Sequence, residues 1–183
     1  MLSNTQESST QVVERICLAQ AATPANISAY GTLLEPAVDG VAFGMSDAML
    51  HLTAGTPRFY LMKLEKRPMA VTRITRHLAV TQCLAALNGK SWYILLAPPD
   101  EPDNPAALPD LSRLQAFCIS GSQALALHRS TWHAGPYFLE DRVDFVNLEL
   151  SDTNVVDHHT VRLDDQCRTI IHIQTSSPEE TRP

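Results

Sequence analysis

Two histidines, an arginine and a tryptophan fall within residues 128–133 of the chain. They follow a short apolar run, residues 123–127, which is typical of a buried strand. A rigid scaffold can hold polar side chains at the end of such a strand. Because His128 and His133 are five residues apart, a strand would send them to opposite faces, and both reach one pocket only if the chain bends at Ser130 and Thr131. The alternative is structural: one imidazole caps a turn and the other packs under Trp132.

Composition excludes several classes of function. The chain has 183 residues, enough for one domain, and its 44% hydrophobic and 19% charged residues are typical of a soluble globular protein. A formal net charge of −6 and the lack of a long Lys/Arg cluster argue against a nucleic-acid partner. The longest strongly apolar run, residues 92–97, is too short to span a bilayer, and the polar start has no signal-peptide pattern. We therefore expect a cytoplasmic protein with neither nucleic acid nor membrane as partner.

The cysteines predict reduced thiols. They are widely spaced and form no Cys-x-x-Cys pair, and three lie in apolar stretches, so we expect mostly buried side chains without disulfides. The four are Cys17, Cys83, Cys118 and Cys167.

Many short strands with one or two short helices are predicted. Thr23 followed by Pro24 indicates the start of a helix over residues 24–29. Asn88-Gly89 is typical of a two-residue hairpin turn. A strand at residues 12–19 is expected on the edge of the main sheet. The other expected strands are residues 32–34, 58–63, 70–75, 81–87, 91–97, 113–120, 123–128, 143–150, 159–163 and 168–174.

This spacing of strands favours an all-β sandwich, jelly roll or closed barrel. Residues 12–174 form the single expected domain, between a disordered start, residues 1–11, and a loose tail, residues 175–183. Residues 98–109 are rich in Pro, Asp and Asn and are expected to form a long loop that is either a lid or disordered. His158 and His159 are adjacent, so a strand would place them on opposite faces and they are not expected to pair as ligands.

Two degenerate motifs resemble those of the cupin superfamily. In the first, a strand carries two histidines, then a carboxylate or amide, then a hairpin glycine. The corresponding residues here are Thr75, His77, Gln82 and Gly89. The second motif ends in a histidine, which falls on His133.

A narrower likeness adds to this. Over roughly residues 20–157 the chain is similar to the ureidoglycolate lyase family, whose fold is a cupin-type double-stranded β-helix, or jelly-roll barrel. The blocks that carry the likeness are residues 23–31, 74–77 with 81–82, 109–117, 128–129 with 132–133, and 143–145. The resemblance implies a carbon–nitrogen lyase of the amidine-lyase type, which cleaves ureidoglycolate to glyoxylate and urea in purine and allantoin nitrogen catabolism.

The chain departs from the family pattern at several positions. Family members usually have Glu where this chain has Thr75, a second His at Ala134, and an Arg-containing run where this chain has Leu150 and the residues after it. Glu149 stands where the family has Asp. The changes remove a metal ligand or base and a clamp for a carboxylate, so an altered substrate or a loss of catalysis would follow.

The implied reaction needs a base, an acid and a cationic clamp for the substrate carboxylate. Near-neutral imidazoles suit His77 and His133 to proton transfer, and Gln82 could donate to a developing oxyanion or orient His77. A guanidinium can hold a carboxylate through a bidentate fork, although most exposed arginines only form surface ion pairs. The expected substrate-binding residues are Arg129, Arg76, His128, Trp132 and Glu149.

Cofactor and partner follow from the same resemblance. A divalent transition metal (nickel, manganese or zinc) would be held by His77, Gln82 and His133, weakly, since Thr75 replaces a carboxylate and an amide is a poor ligand. The expected partners are a small ureido acid as substrate and a second copy of the chain in a homodimer. The alternatives are an amidohydrolase that releases ammonia, a diverged cupin that binds or senses a small molecule without turnover, and an unrelated metal-dependent cupin reaction.

Overall fold

The computed structural model describes residues 11–175 of the chain. The expected disorder before Gln11 and the expected loose tail after Thr175 lie outside these residues. Thr175 itself, which was assigned to the tail, is the last residue of the final strand. Strands dominate the described part, as predicted.

Three short α-helices and one 3-10 helix interrupt the strands of residues 11–175. The helices are α1 (Pro24–Ile27), α2 (Thr153–Val156) and α3 (Leu163–Gln166), and the 3-10 helix is Leu111–Arg113. At α1 the hydroxyl of Thr23 accepts from the Asn26 N–H at 3.2 Å and the Asn26 side chain accepts from the Thr23 N–H at 2.8 Å, which confirms the predicted helix start. No helix within residues 11–175 is long and apolar enough to cross a membrane.

The strands lie close to the predicted positions. They are β1 (Val13–Ala21), β2 (Gly31–Leu34), β3 (Pro57–Glu65), β4 (Ala70–Val71), β5 (Arg73–Arg76), β6 (Gln82–Ala86), β7 (Trp92–Ala97), β8 (Gln115–Ile119), β9 (Ala124–Leu127), β10 (Trp132–Tyr137), β11 (Arg142–Leu150), β12 (His159–Arg162) and β13 (Thr169–Thr175). β10 was not predicted because it contains Gly135-Pro136. Proline cannot donate to a ladder, and the register between β10 and β7 shifts between Ala134 and Tyr137, which accommodates it.

The strands form two sheets. The larger has the order β12-β5-β10-β7-β8-β1-β13-β4 and the smaller has the order β2-β9-β6-β11-β3. β1 lies between β8 and β13 and runs parallel to both, so its predicted place at a sheet edge is wrong. Thr72 alone separates β4 and β5, which lie at or next to opposite ends of the larger sheet, so that sheet must curl.

Apolar side chains pack on both faces of the larger sheet. Ile94 and Leu96 of β7 face the smaller sheet and share one core with Leu84 of β6. Leu95 and Ala97 of the same strand belong to a second core on the opposite face. Burial on both faces explains why β7 is an unbroken apolar run in the sequence.

The Asn88-Gly89 turn is present, but it does not form a hairpin. Both residues have positive φ, 59° and 65°, as the predicted turn requires. However, β6 pairs with β9 and β11 in the smaller sheet, whereas β7 lies in the larger sheet. The turn therefore carries the chain from one sheet to the other, and the hairpin prediction is wrong.

The four cysteines are all free and half-buried. They form no disulfide with one another in the described residues, and the reduced state stays a prediction. Each thiol was expected to be mostly buried, and each is partly exposed.

Candidate functional site

A cavity with polar lining residues lies between the two sheets and has a volume of about 640 Å³. His77, Gln82 and His133 all line it, so two stretches that are about fifty residues apart meet in one compartment, as the sequence predicted. Thr75 lies on the same wall as His77 because side chains of a strand alternate between faces. We call this compartment the histidine cavity.

The imidazoles of His77 and His133 are neighbours, with ring centroids 5.1 Å apart. Nδ1 of His77 contacts the carbonyl oxygen of Asp157, and Nδ1 of His133 lies 3.0 Å from the carbonyl oxygen of Thr131. A carbonyl can only accept, so each Nδ1 carries the proton of the neutral ring and donates it. Each Nε2 is then left with a lone pair for a substrate proton.

Burial keeps both imidazoles neutral. Desolvation lowers the pKa of His77, although the negative charges of Asp157 and Glu149 partly oppose the shift. Desolvation, and next the neighbouring His77, lowers the pKa of His133 to about 3. His77 is therefore the more basic of the pair.

Local contacts explain how His77 reaches the cavity. It follows β5, and the Asp157 carboxylate accepts from the N–H groups of Leu78 and Ala79 at 2.7 and 2.8 Å, which fixes the chain after it. Ser130, with φ of 68°, donates its N–H to the His77 carbonyl at 2.6 Å. The bend predicted at this serine thus ties the start of β10 to the end of β5.

Gln82 is oriented by a buried carboxylate. Its Nε2 donates to Glu149 at 2.8 Å, and Glu149 also accepts from the Tyr60 hydroxyl at 2.9 Å and from Asn154 at 3.3 Å. Asn147 donates in turn to the Tyr60 hydroxyl at 3.0 Å. Glu149 is almost fully buried and occupied by these donors. These contacts connect Glu149 to the cavity through Gln82, and its predicted role in substrate binding stays a prediction.

A third histidine on the cavity wall was missed from the sequence. The His158 ring lies 5.8 Å from that of His77, and its Nδ1 lies 3.1 Å from the hydroxyl of Thr160. That hydroxyl is 2.7 Å from the hydroxyl of Thr75. His159 faces the other way, so the prediction of opposite faces for the pair is confirmed. The sequence did contain a signal for His158: because neighbouring side chains of a strand point to opposite faces, one of these two imidazoles must face the cavity.

Arg76 does not face the histidine cavity. It is fully buried on the opposite face of β5, its guanidinium lies 4.5 Å from the centroid of the Trp132 ring, and its Nε donates to Nδ1 of His159 at 3.0 Å. Its other nitrogens donate to the carbonyls of Asp100, Glu101 and Asn104. Arg76 and Trp132 are thus core residues beside the loop after β7, and their predicted role in substrate binding stays a prediction that this placement does not support.

His128 and Arg129 also lie outside the histidine cavity. Both are exposed and line a separate cavity under two long loops. The bend at Ser130 is real, but it sends His128 and His133 into different compartments. The structure therefore does not bring His128 and Arg129 together with His133, and their role in substrate binding stays a prediction.

Arg67 and Arg73 supply positive charge to the histidine cavity. Neither was predicted from the sequence to be a site residue. The Arg67 guanidinium lies 4.3 Å from the Tyr137 ring centroid and donates to the carbonyl of Pro136 at 3.3 Å. None of the ion pairs formed within residues 11–175 involves Arg73. The two-residue period of a strand would have identified Arg73, because positions 73, 75 and 77 share a face.

The donor set fits a divalent metal poorly. Both imidazoles keep Nε2 for a ligand while Nδ1 is held by a carbonyl, as in many metal sites. Yet no group of three or more His, Cys, Asp or Glu side chains within residues 11–175 is placed to hold a metal ion. Gln82 offers only an amide oxygen, and Thr75 is hydrogen-bonded to Thr160. The residues do not fit the expected nickel, manganese or zinc site.

The low pKa of His133 predicts that the protein loses stability in mild acid. The unfolded chain takes up a proton near pH 6.5, whereas the folded chain resists it down to about pH 3. Stability is therefore complete above pH 6.5 and falls as the pH drops from 6.5 towards 3, by up to about 1.4 kcal/mol per pH unit. Urea unfolding at pH 7, 6 and 5 measures this slope.

His133→Asn should flatten the slope between pH 6.5 and 5, where most carboxylates stay ionised. His51→Gln, a change at an exposed imidazole, is the matched control and should keep the wild-type slope. Equal slopes for the wild type and His133→Asn would show that this imidazole is not the group that takes up the proton.

Comparisons with known proteins find one family. A family model described as "Ureidoglycolate lyase" matches residues 14–169. The chain is 28% identical over 102 residues to a ureidoglycolate lyase of Salmonella gallinarum, a match that covers 56% of this chain and 60% of that protein. A ureidoglycolate lyase of Salmonella paratyphi B is 27% identical over 100 residues, covering 55% and 59%. The matches thus span about three fifths of the curated relatives.

Solved structures that match part of this chain in a structural comparison include two sugar-nucleotide epimerases. A dTDP-6-deoxy-D-glucose-3,5-epimerase of Legionella pneumophila has a TM-score of 0.38 and 14% identity, covering 65% of this chain and 63% of that one. A dTDP-4-dehydrorhamnose 3,5-epimerase of Elizabethkingia anophelis has a TM-score of 0.40 and 11% identity, covering 69% and 70%.

Proposed function

Because the chain belongs to the ureidoglycolate lyase family, we propose that it cleaves ureidoglycolate to glyoxylate and urea. It would be a carbon–nitrogen lyase of the amidine-lyase type in purine and allantoin nitrogen catabolism. One observation carries the proposal: His77, Gln82 and His133 line a single cavity between the sheets, with neutral imidazoles close together. The fold proposed for this site is the cupin-type jelly-roll barrel, in which such a cavity lies between two opposed sheets.

The reaction moves one proton and breaks one bond. The carbinol hydroxyl loses its proton, and its oxygen forms the aldehyde C=O of glyoxylate. The C–N bond breaks with its electron pair on nitrogen, and the proton ends on that nitrogen to give urea. Since proton loss and gain balance within the substrate, one imidazole can serve as base and then as acid.

His77 is the better candidate for this proton shuttle. Its pKa is lowered by burial, but the charges of Asp157 and Glu149 favour the imidazolium that forms during transfer. The pKa of His133, about 3, is too low for it to hold the proton, so it acts as a neutral hydrogen-bond acceptor for the substrate. The Nδ1 contact to Asp157 keeps Nε2 of His77 unprotonated before substrate binds.

Gln82 would orient the ureido group. Its amide NH₂ faces the Glu149 carboxylate, so its Oε1 is directed away from that contact and can accept from a substrate N–H. This assignment replaces the oxyanion donor expected from the sequence. The carboxylate of the substrate then needs a separate cation.

Arg73 is the proposed carboxylate clamp, since Arg67 is partly occupied by Tyr137 and Pro136. A charge-assisted fork to a carboxylate contributes about 1.5–3 kcal/mol. Arg73→Met should therefore lower kcat/KM for ureidoglycolate by roughly tenfold to a hundredfold, mainly through a higher KM. Steady-state kinetics of glyoxylate release measure the change.

Arg162→Met is the control for this prediction. Arg162 is exposed and lies opposite Arg73 in the register of β12 with β5. Its guanidinium forms an ion pair with Asp164. The kinetics of this variant should match those of the wild type. A normal kcat/KM in Arg73→Met, or an equal loss in both variants, would remove Arg73 from the clamp.

The activity itself is tested by incubating purified protein with ureidoglycolate and following glyoxylate, urea and ammonia. Glyoxylate and urea in equal amounts support the lyase, whereas ammonia in place of urea would select the hydrolase.

A second candidate, a cupin that binds or senses a ureido acid without turnover, is favoured by one contact, since the hydroxyl of Thr75 is hydrogen-bonded to Thr160 and supplies no base. Ligand-dependent thermal shifts without product would select it. The homodimer remains a prediction for sedimentation analysis.

A further inference from the structure

A second cavity lies on the outer side of the smaller sheet, and its volume of about 1290 Å³ is twice that of the histidine cavity. Two long segments without strands or α-helices enclose it: residues 35–56, between β2 and β3, and residues 98–110, after β7. Loops of this length in a small domain are usually either functional or disordered, and these two enclose a cavity. Thr32 and Ala126 of the smaller sheet also line the cavity, which we call the loop cavity.

The wall from the first loop is apolar and faces open space. Phe43 and Met49 line the cavity, yet they are 73% and 69% exposed, and Met45 beside them is also exposed. Exposed apolar patches of this kind cost solvation free energy and mark binding sites. Methionine side chains in particular adapt to varied apolar ligands.

Basic side chains also line the loop cavity. Arg129 and His128 come from the turn before β10, and His51 from the first loop. Partial desolvation, and next the neighbouring His51, lowers the pKa of His128, so Arg129 and not this imidazole is the cation that faces the cavity. Within the described residues no ion pair involves Arg129, so its guanidinium is free to take an anion.

Two carboxylates complete the wall. Asp47 accepts the N–H of Gly44 at 2.7 Å, which fixes the first loop, and Asp103 belongs to the second loop. The negative charge of Asp103 opposes the binding of an anion. Replacing Asp103 by a neutral residue should therefore raise the affinity for an anion, whereas removing Arg129 should lower it.

We propose that the loop cavity is a second small-molecule site for an amphipathic carboxylate, with its apolar body against Phe43, Met45 and Met49 and its carboxylate on Arg129. The site is separate from the histidine cavity and does not depend on lyase activity. A guanidinium binds a carboxylate through two parallel N–H donors, and the apolar wall supplies the area that a hydrocarbon body would cover.

Titration calorimetry with decanoate tests the proposal on the full chain. Arg129→Ala should weaken decanoate binding about tenfold, the effect of one charge-assisted contact. Met49→Ser should also weaken it, whereas Asp103→Asn should strengthen it. Arg142→Ala, which removes an exposed arginine paired with Asp144, should leave the affinity unchanged.

Two further measurements separate this site from the histidine cavity. Decyltrimethylammonium, which has the same chain and the opposite charge, should bind more weakly than decanoate. His77→Asn should bind decanoate as the wild type does, and ureidoglycolate should not displace it. Equal affinity of wild type and Arg129→Ala, equal binding of both amphiphiles, or displacement by ureidoglycolate would each overturn the proposal.

Discussion

His77→Asn is expected to lower kcat/KM for ureidoglycolate cleavage by at least about a hundredfold, because general acid–base catalysis contributes about 10²–10⁴-fold. The asparagine amide can still donate to the carbonyl of Asp157, as Nδ1 of the imidazole does. The contact that fixes this part of the chain is therefore kept, while the basic Nε2 is lost. Glyoxylate and urea formation at pH 7 measures the loss, and near-unchanged thermal unfolding shows that the fold is intact.

The comparison with His133→Asn tests which imidazole carries the proton. The amide can again replace Nδ1, here as a donor to Thr131. Because His133 is proposed to accept a hydrogen bond without taking up the proton, its variant should lose less activity than His77→Asn. His172→Asn, on the outer part of the larger sheet, should retain wild-type turnover. A larger loss in His133→Asn than in His77→Asn would reverse the assignment of the base.

The strands were largely predictable, because alternation of apolar residues and turn residues are local properties of the chain. Thr23 shows this well, since its cap needs only Asn26, three residues further on. The Asn88-Gly89 turn shows the limit. Its backbone conformation is local and was predicted, but the partner of each flanking strand is decided by long-range packing, and the two strands pair in different sheets.

The convergence of His77 and His133 was predicted from motif spacing, whereas the residues that support them were not. Glu149 was expected to bind substrate, but its carboxylate accepts from the hydroxyl of Tyr60, a residue 89 positions away that no local pattern connects to it. His158 reaches His77 through β12, whose place beside β5 depends on the curl of the whole sheet. Contacts of this kind require the fold, because each joins strands that are distant in sequence.

The arginines show what strand alternation can decide. Arg76 was proposed as a carboxylate clamp, but it is adjacent to His77, and neighbours on a strand point to opposite faces, so alternation predicts that the two do not share the cavity. The same rule selects Arg73, four positions before His77, which the structure places on the cavity wall. The period of the strand therefore distinguishes the two arginines.

Arg76→Met should lower the free energy of unfolding by about 3 kcal/mol or more while leaving the catalytic site intact. The variant removes a fully buried guanidinium that donates to the carbonyls of Asp100, Glu101 and Asn104, and a hydrogen bond from a charged group contributes about 1.5–3 kcal/mol. Some of this cost is recovered if the loop opens to water, so residues 98–110 should become sensitive to proteases. Urea unfolding followed by the fluorescence of Trp132, on which Arg76 packs, measures the loss.

Arg73→Met should give the opposite result, because Arg73 is exposed and lies on the cavity wall. We expect it to unfold at nearly the wild-type urea concentration and to lose kcat/KM, whereas Arg76→Met, assayed at low temperature where it is folded, should keep kcat/KM within about threefold of the wild type. A raised KM with unchanged stability in Arg76→Met would instead mean that this guanidinium binds the substrate carboxylate. The pair of variants therefore separates a cation that holds a loop from a cation that holds a ligand, two roles that the sequence alone could not distinguish.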